Sequence, residues 1–354
     1  MKNFIESLKE KKLTRREFLK LLAIIGALAF IEIHPTMSKF KEWLYLIVKE
    51  FFKENKDIKF KELGINSPFI YLKEEKWEEY FNLLLEIQKI FNVESFRIRI
   101  FISDDFERNL GEYNFEVLEK IFNFYNFLKE KGINFVLEID LIDCYSIGNS
   151  LKYSPIYGSH PPSSPYNLSK DLNGYKNFFI DERLKRFFIK RVEEILKYLK
   201  EKFGNENLII SIANEPEPPY SENEKRQILN LWYDFVLENI ENLLSPNWKI
   251  VSGLKDPRYL SKEFYERTGV MPTLHLYPFE FSPSEIEGII KEFGKVYIQE
   301  LGVPYRIFDF SNPLEKVLWK ALLRWLNSQK VSVWKIDFYE DGFDFSRIIP
   351  QDIS

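Results

Sequence analysis

Between residues 64 and 336, a short apolar run followed by an amphipathic helical stretch recurs until eight runs have been laid down. The runs fall at 64–67, 95–101, 134–142, 208–213, 248–252, 273–277, 296–300 and 331–336. Helical periodicity fills 76–91, 115–131, 181–203, 222–243, 259–267, 283–293 and 313–327 between them. Near-continuous apolar strands alternating with helices are the pattern of a parallel sheet joined by helical crossovers. Eight units favour closure over an open sheet. A G-x-G-x-x-G turn after the first run, the mark of a dinucleotide fold, is absent. The expected fold is α/β, a (β/α)8 TIM barrel spanning 61–354; such a barrel fills about 250 residues and accounts for most of this 354-residue chain.

Two of the runs lead straight into a glutamate. Residues 208–217 read LIISIANEPE and residues 295–302 read KVYIQELG, so Glu215 follows the fourth strand and Glu300 ends the seventh. The C-terminal strand ends of such a barrel form the rim where catalytic groups stand. Strands four and seven lie on opposite sides of the ring, so these side chains can meet over its mouth. One carboxylic acid and one carboxylate are what cleavage of a glycosidic bond requires. The proton donor needs apolar surroundings or a neighbouring negative charge, and the ionised partner needs a cation or hydroxyl donor beside it.

Asn214-Glu215-Pro216 after strand four, with a second strand-end glutamate three units later, resembles clan A glycoside hydrolases over roughly residues 64–341. The likeness is to family 5 in particular, the cellulase and β-mannanase group. It implies Glu215 as acid/base and Glu300 as nucleophile in a retaining reaction on a β-linked polysaccharide or oligosaccharide, endo-acting, with no metal and no cofactor. It also implies a strand-two arginine near the nucleophile: Arg99, or Arg97, which has the same strand parity. Asn214 would meet the sugar 2-hydroxyl. His275 and Tyr277 match a strand-six pattern in which the tyrosine supports the nucleophile, and Trp334 would form the floor under the reacting sugar. One departure is visible. Many family 5 endoglucanases end strand three on a histidine, where this chain reads EIDLID at 138–143. The FFIDE segment at 178–182 is closer to the β-mannanase branch. Asp140 and Asp143 read as turn caps in preference to substrate contacts.

A metal-dependent hydrolase or isomerase needs several ligands converging at the rim. Of three histidines only His160 and His275 fall within the barrel region, and no His-x-His opens strand one. Lys+Arg of 50 against Asp+Glu of 54, with no basic stripe, argues against a nucleic-acid partner. The 33 phenylalanines read as core filling. The one outsized connection, 143–179, carries Tyr145, Tyr153, Tyr157, Tyr166 and Tyr175 and is a candidate cleft wall. The alternative to an enzyme is a non-catalytic exported barrel that binds carbohydrate or cell wall; such a protein has no need of both glutamates.

Residues 1–36 stand apart from the fold. TRREFLK at 14–20 precedes an apolar run over 21–33 and resembles a twin-arginine export signal. It serves as a cleaved signal or as a membrane anchor, though the run is shorter than the ~20 residues of a comfortable span. Residues 37–60 are an amphipathic helical lead-in, suited to a membrane surface or to packing against the barrel. The single cysteine, Cys144, forbids an intrachain disulfide, so the chain relies on its core, as suits a protein folded before export. The expected partners are the substrate glycan, the twin-arginine export machinery and, through the N-terminus, a membrane. The expected location is extracellular or on the outer face of the cytoplasmic membrane.

Overall fold

The computed structural model describes residues 42–43, 62–67, 69–107, 109–142, 177–276, 280–301, 325–326 and 335–337. Among the described residues there are eight parallel strands: β1 Glu62–Asn66, β2 Ser95–Phe101, β3 Phe135–Asp140, β4 Leu208–Ser211, β5 Lys249–Val251, β6 Thr273–Leu276, β7 Tyr297–Leu301 and β8 Lys335–Asp337. Hydrogen bonds join them in the order β5-β4-β3-β2-β1-β8, with β6 and β7 paired separately. The two arcs meet where the Met271 N–H donates to the Ile250 carbonyl at 2.9 Å and the Ser252 N–H to that of Met271 at 3.2 Å. On the other side β7 lies against β8. The ring is the expected (β/α)8 barrel.

The helices among the described residues are α1 Trp77–Phe91, α2 Glu116–Glu130, α3 Glu182–Phe203, α4 Glu222–Ile240, α5 Lys262–Thr268 and α6 Pro283–Phe293; the one expected at 313–327 lies, but for 325–326, outside them. Their starts follow from local chemistry. Asp181 caps α3 by accepting from the Arg183 and Leu184 N–H groups. Ser221 with Glu224 and Ser282 with Glu285 form capping boxes for α4 and α6. The stretch expected as one helix at 259–267 is a short 3₁₀ turn, Pro257–Tyr259, then α5, because Ser261 caps the Phe264 N–H and restarts the chain.

Among the described residues two apolar regions result. The large one lies between sheet and helices and absorbs much of the aromatic content; Phe178, Phe188 and Trp232 meet there between α3 and α4. A small separate cluster, Ile209, Val251 and Tyr297 with Val136 and Met271, plugs the barrel interior. Beside it the interior turns ionic. The Arg97 guanidinium lies 3.5 Å from the Tyr297 ring centre and bonds Glu62 at 2.5 Å, and Glu138 stands 3.8 Å away.

β7 breaks the regular pairing with β6. Thr273 and Leu274 face Tyr297 and Ile298, but His275 faces Glu300, which leaves Gln299 as an extra residue. A bulge of this kind re-aims a side chain. Here it lets two successive residues, Gln299 and Glu300, both approach His275.

Of the lead-in helix, Glu42 and Trp43 are described. Trp43 donates to the Phe281 carbonyl at 2.6 Å and meets Trp325 edge to face, while Glu42 accepts from Ser284. This part of the lead-in rests on the barrel's helical shell. Among the described residues no helix is long and apolar enough to cross a membrane. The export motif, the rest of the lead-in and most of the 143–179 connection lie outside the described residues.

Candidate active site

The strand ends converge on Arg99. Its guanidinium is wholly buried and spends its donors on three strands. One nitrogen bonds Glu300 Oε1 at 2.7 Å. Another bonds Asn214 Oδ1 at 2.7 Å and Asp140 Oδ1 at 2.8 Å, and Nε bonds the second Asp140 oxygen. Glu138 lies 3.5 Å from Nε. Burial alone would lower the arginine's pKa, but Asp140, Glu300 and Glu138 together push it well above its ordinary value. Of the two arginines left open by the sequence, Arg99 touches Glu300, while Arg97 sits lower with Glu62 and Tyr297.

Glu215 reaches the same space from the end of β4. Its φ is 46°, in the left-handed region that costs a non-glycine residue about 1 kcal/mol or more. The bond from its N–H to the Gly253 carbonyl, 2.9 Å, helps hold that turn. Gly253 is itself at φ 76°, and a Cβ there would stand 1.7 Å from the Ala213 oxygen. Gly253→Ala is therefore expected to cost about 3 kcal/mol, from strain and overpacking together, and to displace Glu215. Urea unfolding beside an activity assay checks this; a variant with wild-type stability refutes it.

His275 links the two glutamates. Its Nδ1 is 2.7 Å from Glu215 Oε1 and 3.4 Å from Glu300 Oε2, and its Nε2 is 3.2 Å from Gln299 Oε1. One oxygen of Glu215, one of Glu300 and a ring nitrogen of His275 all lie within 4.8 Å of one another. Burial works against charge on the ring, yet Glu300 and the bond to Glu215 outweigh it, and the imidazole pKa is raised. A folded-state pKa above the unfolded value of about 6.5 stabilises fully below that value and less as pH rises through the folded pKa. Unfolding free energy should therefore decline on going above about pH 6.5, and a His275→Gln variant should show a flatter profile. Denaturant titrations across pH read this directly.

Three such groups are also the number a catalytic zinc uses. Here, however, Glu300 already faces a guanidinium and both imidazole nitrogens face protein partners, so an ion would have to displace these contacts. Lys255 completes the surroundings. It pairs with Glu280 at 2.5 Å, and its carbonyl accepts from the His275 N–H at 3.0 Å. Burial opposes its charge, but Glu215 and Glu280 hold its pKa above the ordinary lysine value.

Arg99, Asn214, Glu215, His275 and Glu300 thus come together. Tyr277 and Trp334 lie outside the described residues. Asp140, read from sequence as a turn cap, instead makes a buried two-point pair with Arg99, because its strand parity turns it inward. Glu138 and Gln299 were missed. The signal for Glu138 was available: Arg97 and Arg99 on one strand pair in register with a neighbouring strand carrying Glu138 and Asp140 two apart.

The barrel is shared with solved glycosidases. The exo-β-1,4-mannosidase Op5Man5 from Opitutaceae bacterium strain TAV5 aligns at 15% identity and a TM-score of 0.54, over 80% of this chain and 53% of its own. The chain thus spans about half the length of that protein. Endo-glycoceramidase II from Rhodococcus sp. gives 11% identity and a TM-score of 0.52 over 80% and 73% of the two chains. Cel5A of Thermotoga maritima, solved with cellobiose, gives 16% and 0.50 over 81% and 92%. No protein-family model matches the sequence, and no curated protein matches it. At these identities the likeness establishes the fold, and the chemistry rests on the side chains.

Proposed function

We propose that the chain is a retaining glycoside hydrolase acting on β-linked glycans, of mannanase or cellulase type and endo-acting. The observation that carries this is the meeting of Glu215 and Glu300 with oxygens within 4.8 Å in unlike surroundings. Retaining enzymes hold their carboxyl groups about 5–5.5 Å apart, whereas inverting ones leave about 6.5–9.5 Å for a water. The guanidinium of Arg99 on Glu300 favours a carboxylate nucleophile. The imidazole beside Glu215 provides a partner with which a proton can be shared.

In the first step Glu300 attacks the anomeric carbon while Glu215 gives its proton to the departing glycosidic oxygen. In the second, Glu215 takes a proton from water, the resulting nucleophile displaces Glu300, and the sugar leaves with its original configuration. Arg99 takes the Asn214 side-chain oxygen, and the Asn214 amide is assigned its expected contact with the sugar 2-hydroxyl. Tyr277 and Trp334 are assigned their expected roles, support of the nucleophile and the floor of the sugar site, as part of the same proposal.

Glu215→Gln tests the reading. On substrates with poor leaving groups it should lose about 10²–10⁴-fold in kcat/KM, which reads the first step, and kcat/KM should recover on aryl glycosides whose leaving group needs no protonation, while kcat stays low because the water of the second step has lost its base. Equal losses on both would remove Glu215 as the acid. Wild-type reducing-sugar release from purified mannans, glucans and xylans supplies the substrate. Export through the twin-arginine route belongs to the proposal too, on the strength of the TRREFLK motif. Replacing Arg15 and Arg16 with lysine should retain the protein in the cytoplasm, as fractionation would show.

A further inference from the structure

A buried amide connects the ionic interior of the barrel to its mouth. The Gln299 side-chain nitrogen donates to Glu138 Oε1 at 2.7 Å and to Ser211 Oγ at 3.3 Å, and its oxygen faces Nε2 of His275 at 3.2 Å. Glu138 is a fixed acceptor, flanked by the guanidiniums of Arg97 and Arg99 at 3.8 and 3.5 Å. Turning the amide round would aim its oxygen at a carboxylate. Its oxygen therefore stays toward His275, where only an N–H satisfies it.

The other face of the ring meets acids. Nδ1 faces Glu215 from the end of β4 and Glu300 from β7; Arg99 of β2, itself bonded to Asp140, lies beyond, and Lys255 approaches from the β5 side. With Nε2 committed to Gln299, removing the second proton from the ring and Glu215 together has no satisfied form. A neutral ring protonated at Nε2 points the Nδ1 lone pair at the Glu215 carboxylate. A neutral ring protonated at Nδ1 points the Nε2 lone pair at the Gln299 oxygen.

We propose that Gln299, oriented by Glu138, is a positioning residue that fixes the His275 tautomer and so keeps one proton on the His275–Glu215 pair. That proton lies across a 2.7 Å contact and is available to Glu215 whichever atom carries it. Resting on the glycosidase reading, this supplies the acid at a pH where a lone glutamic acid, with its pKa of about 4.3, has already ionised. The β7 bulge makes the device possible, since without it Gln299 and Glu300 would take opposite sides of the strand.

The test is nitrogen-15 NMR of histidine side chains in the full chain. Only His34, His160 and His275 contribute, and a His275→Asn variant assigns the third. In the wild-type protein Nε2 of His275 should keep its proton from about pH 5 to about pH 9, with the ring titrating above the ordinary value near 6.5. In Gln299→Met the midpoint should fall by about one unit, a tenfold weaker hold on the proton, with the other two histidines unmoved. An unprotonated Nε2 in the wild-type chain within that range overturns the proposal, as does an unchanged midpoint in a folded Gln299→Met. Should Gln299→Met fail to fold, the wild-type tautomer still decides. No substrate enters this experiment, so its failure leaves the glycosidase reading standing, and that reading fails separately through the Glu215→Gln kinetics.

Discussion

Glu300→Ala should reduce turnover by at least about 10⁴-fold, as loss of a covalent nucleophile does. Among the described residues there is no substitute. The other carboxyl groups around Arg99, Asp140 and Glu138, are buried in the barrel interior and held by the two interior arginines. Removing the Glu300 side chain opens a small space beneath the sugar's anomeric carbon. Azide should enter it and restore part of the rate, yielding a glycosyl azide of inverted configuration, because only one displacement then occurs. Product stereochemistry by NMR is the measurement. Azide rescue with retained configuration would exclude Glu300 as the nucleophile, and full activity without azide would end the double-displacement scheme.

Arg99→Met should be the most damaging change to the fold within the site. It removes the guanidinium from Asp140 and Glu300, weakens the hold on Glu138 and takes one donor from the Asn214 oxygen. Breaking a buried ion pair from one side costs about 3–5 kcal/mol, because the remaining charge stays desolvated. The penalty should shrink on acidification. Carboxyls without their cation bind protons more tightly folded than unfolded, so they destabilise at neutral pH and relax as pH falls toward about 4. Arg99→Lys should recover part of the stability but little activity, since one ammonium cannot reproduce a planar fork that meets three strands. Urea unfolding at two pH values separates these outcomes; a Met variant within about 1 kcal/mol of wild type would contradict a buried ion-pair role for Arg99.

The sequence carried most of the scaffold and the main part of the site because both are written in local chemistry. The helix expected at 283–293 is found at Pro283–Phe293, where a serine cap, a proline and a glutamate three residues on mark the start unambiguously. Glu215 and Glu300 were legible because an apolar barrel strand that ends on an acid delivers that acid to the rim. Strand boundaries were less so: the run at 208–213 pairs as a strand only through Ser211, since the chain then begins to turn toward the left-handed Glu215. Gln299 was hidden for a different reason. Strict alternation puts it on the far side of the strand from Glu300, and the bulge that brings both inward has no glycine to announce it. Asp140 reads as a turn cap when strand three is taken alone, because its partner lies on the adjacent strand.

The surplus residue in β7 also makes this barrel unusually easy to silence. Deleting position 299 alone would restore an even ladder against β6 and shift the acid that follows into the amide's place, facing Glu138 instead of the opening. The chain would still close its ring and bury its shell. A natural or engineered relative shortened by that one peptide unit would therefore keep its strand ladder, lose stability because a second carboxylate is buried against Glu138, and have no reaction left to perform.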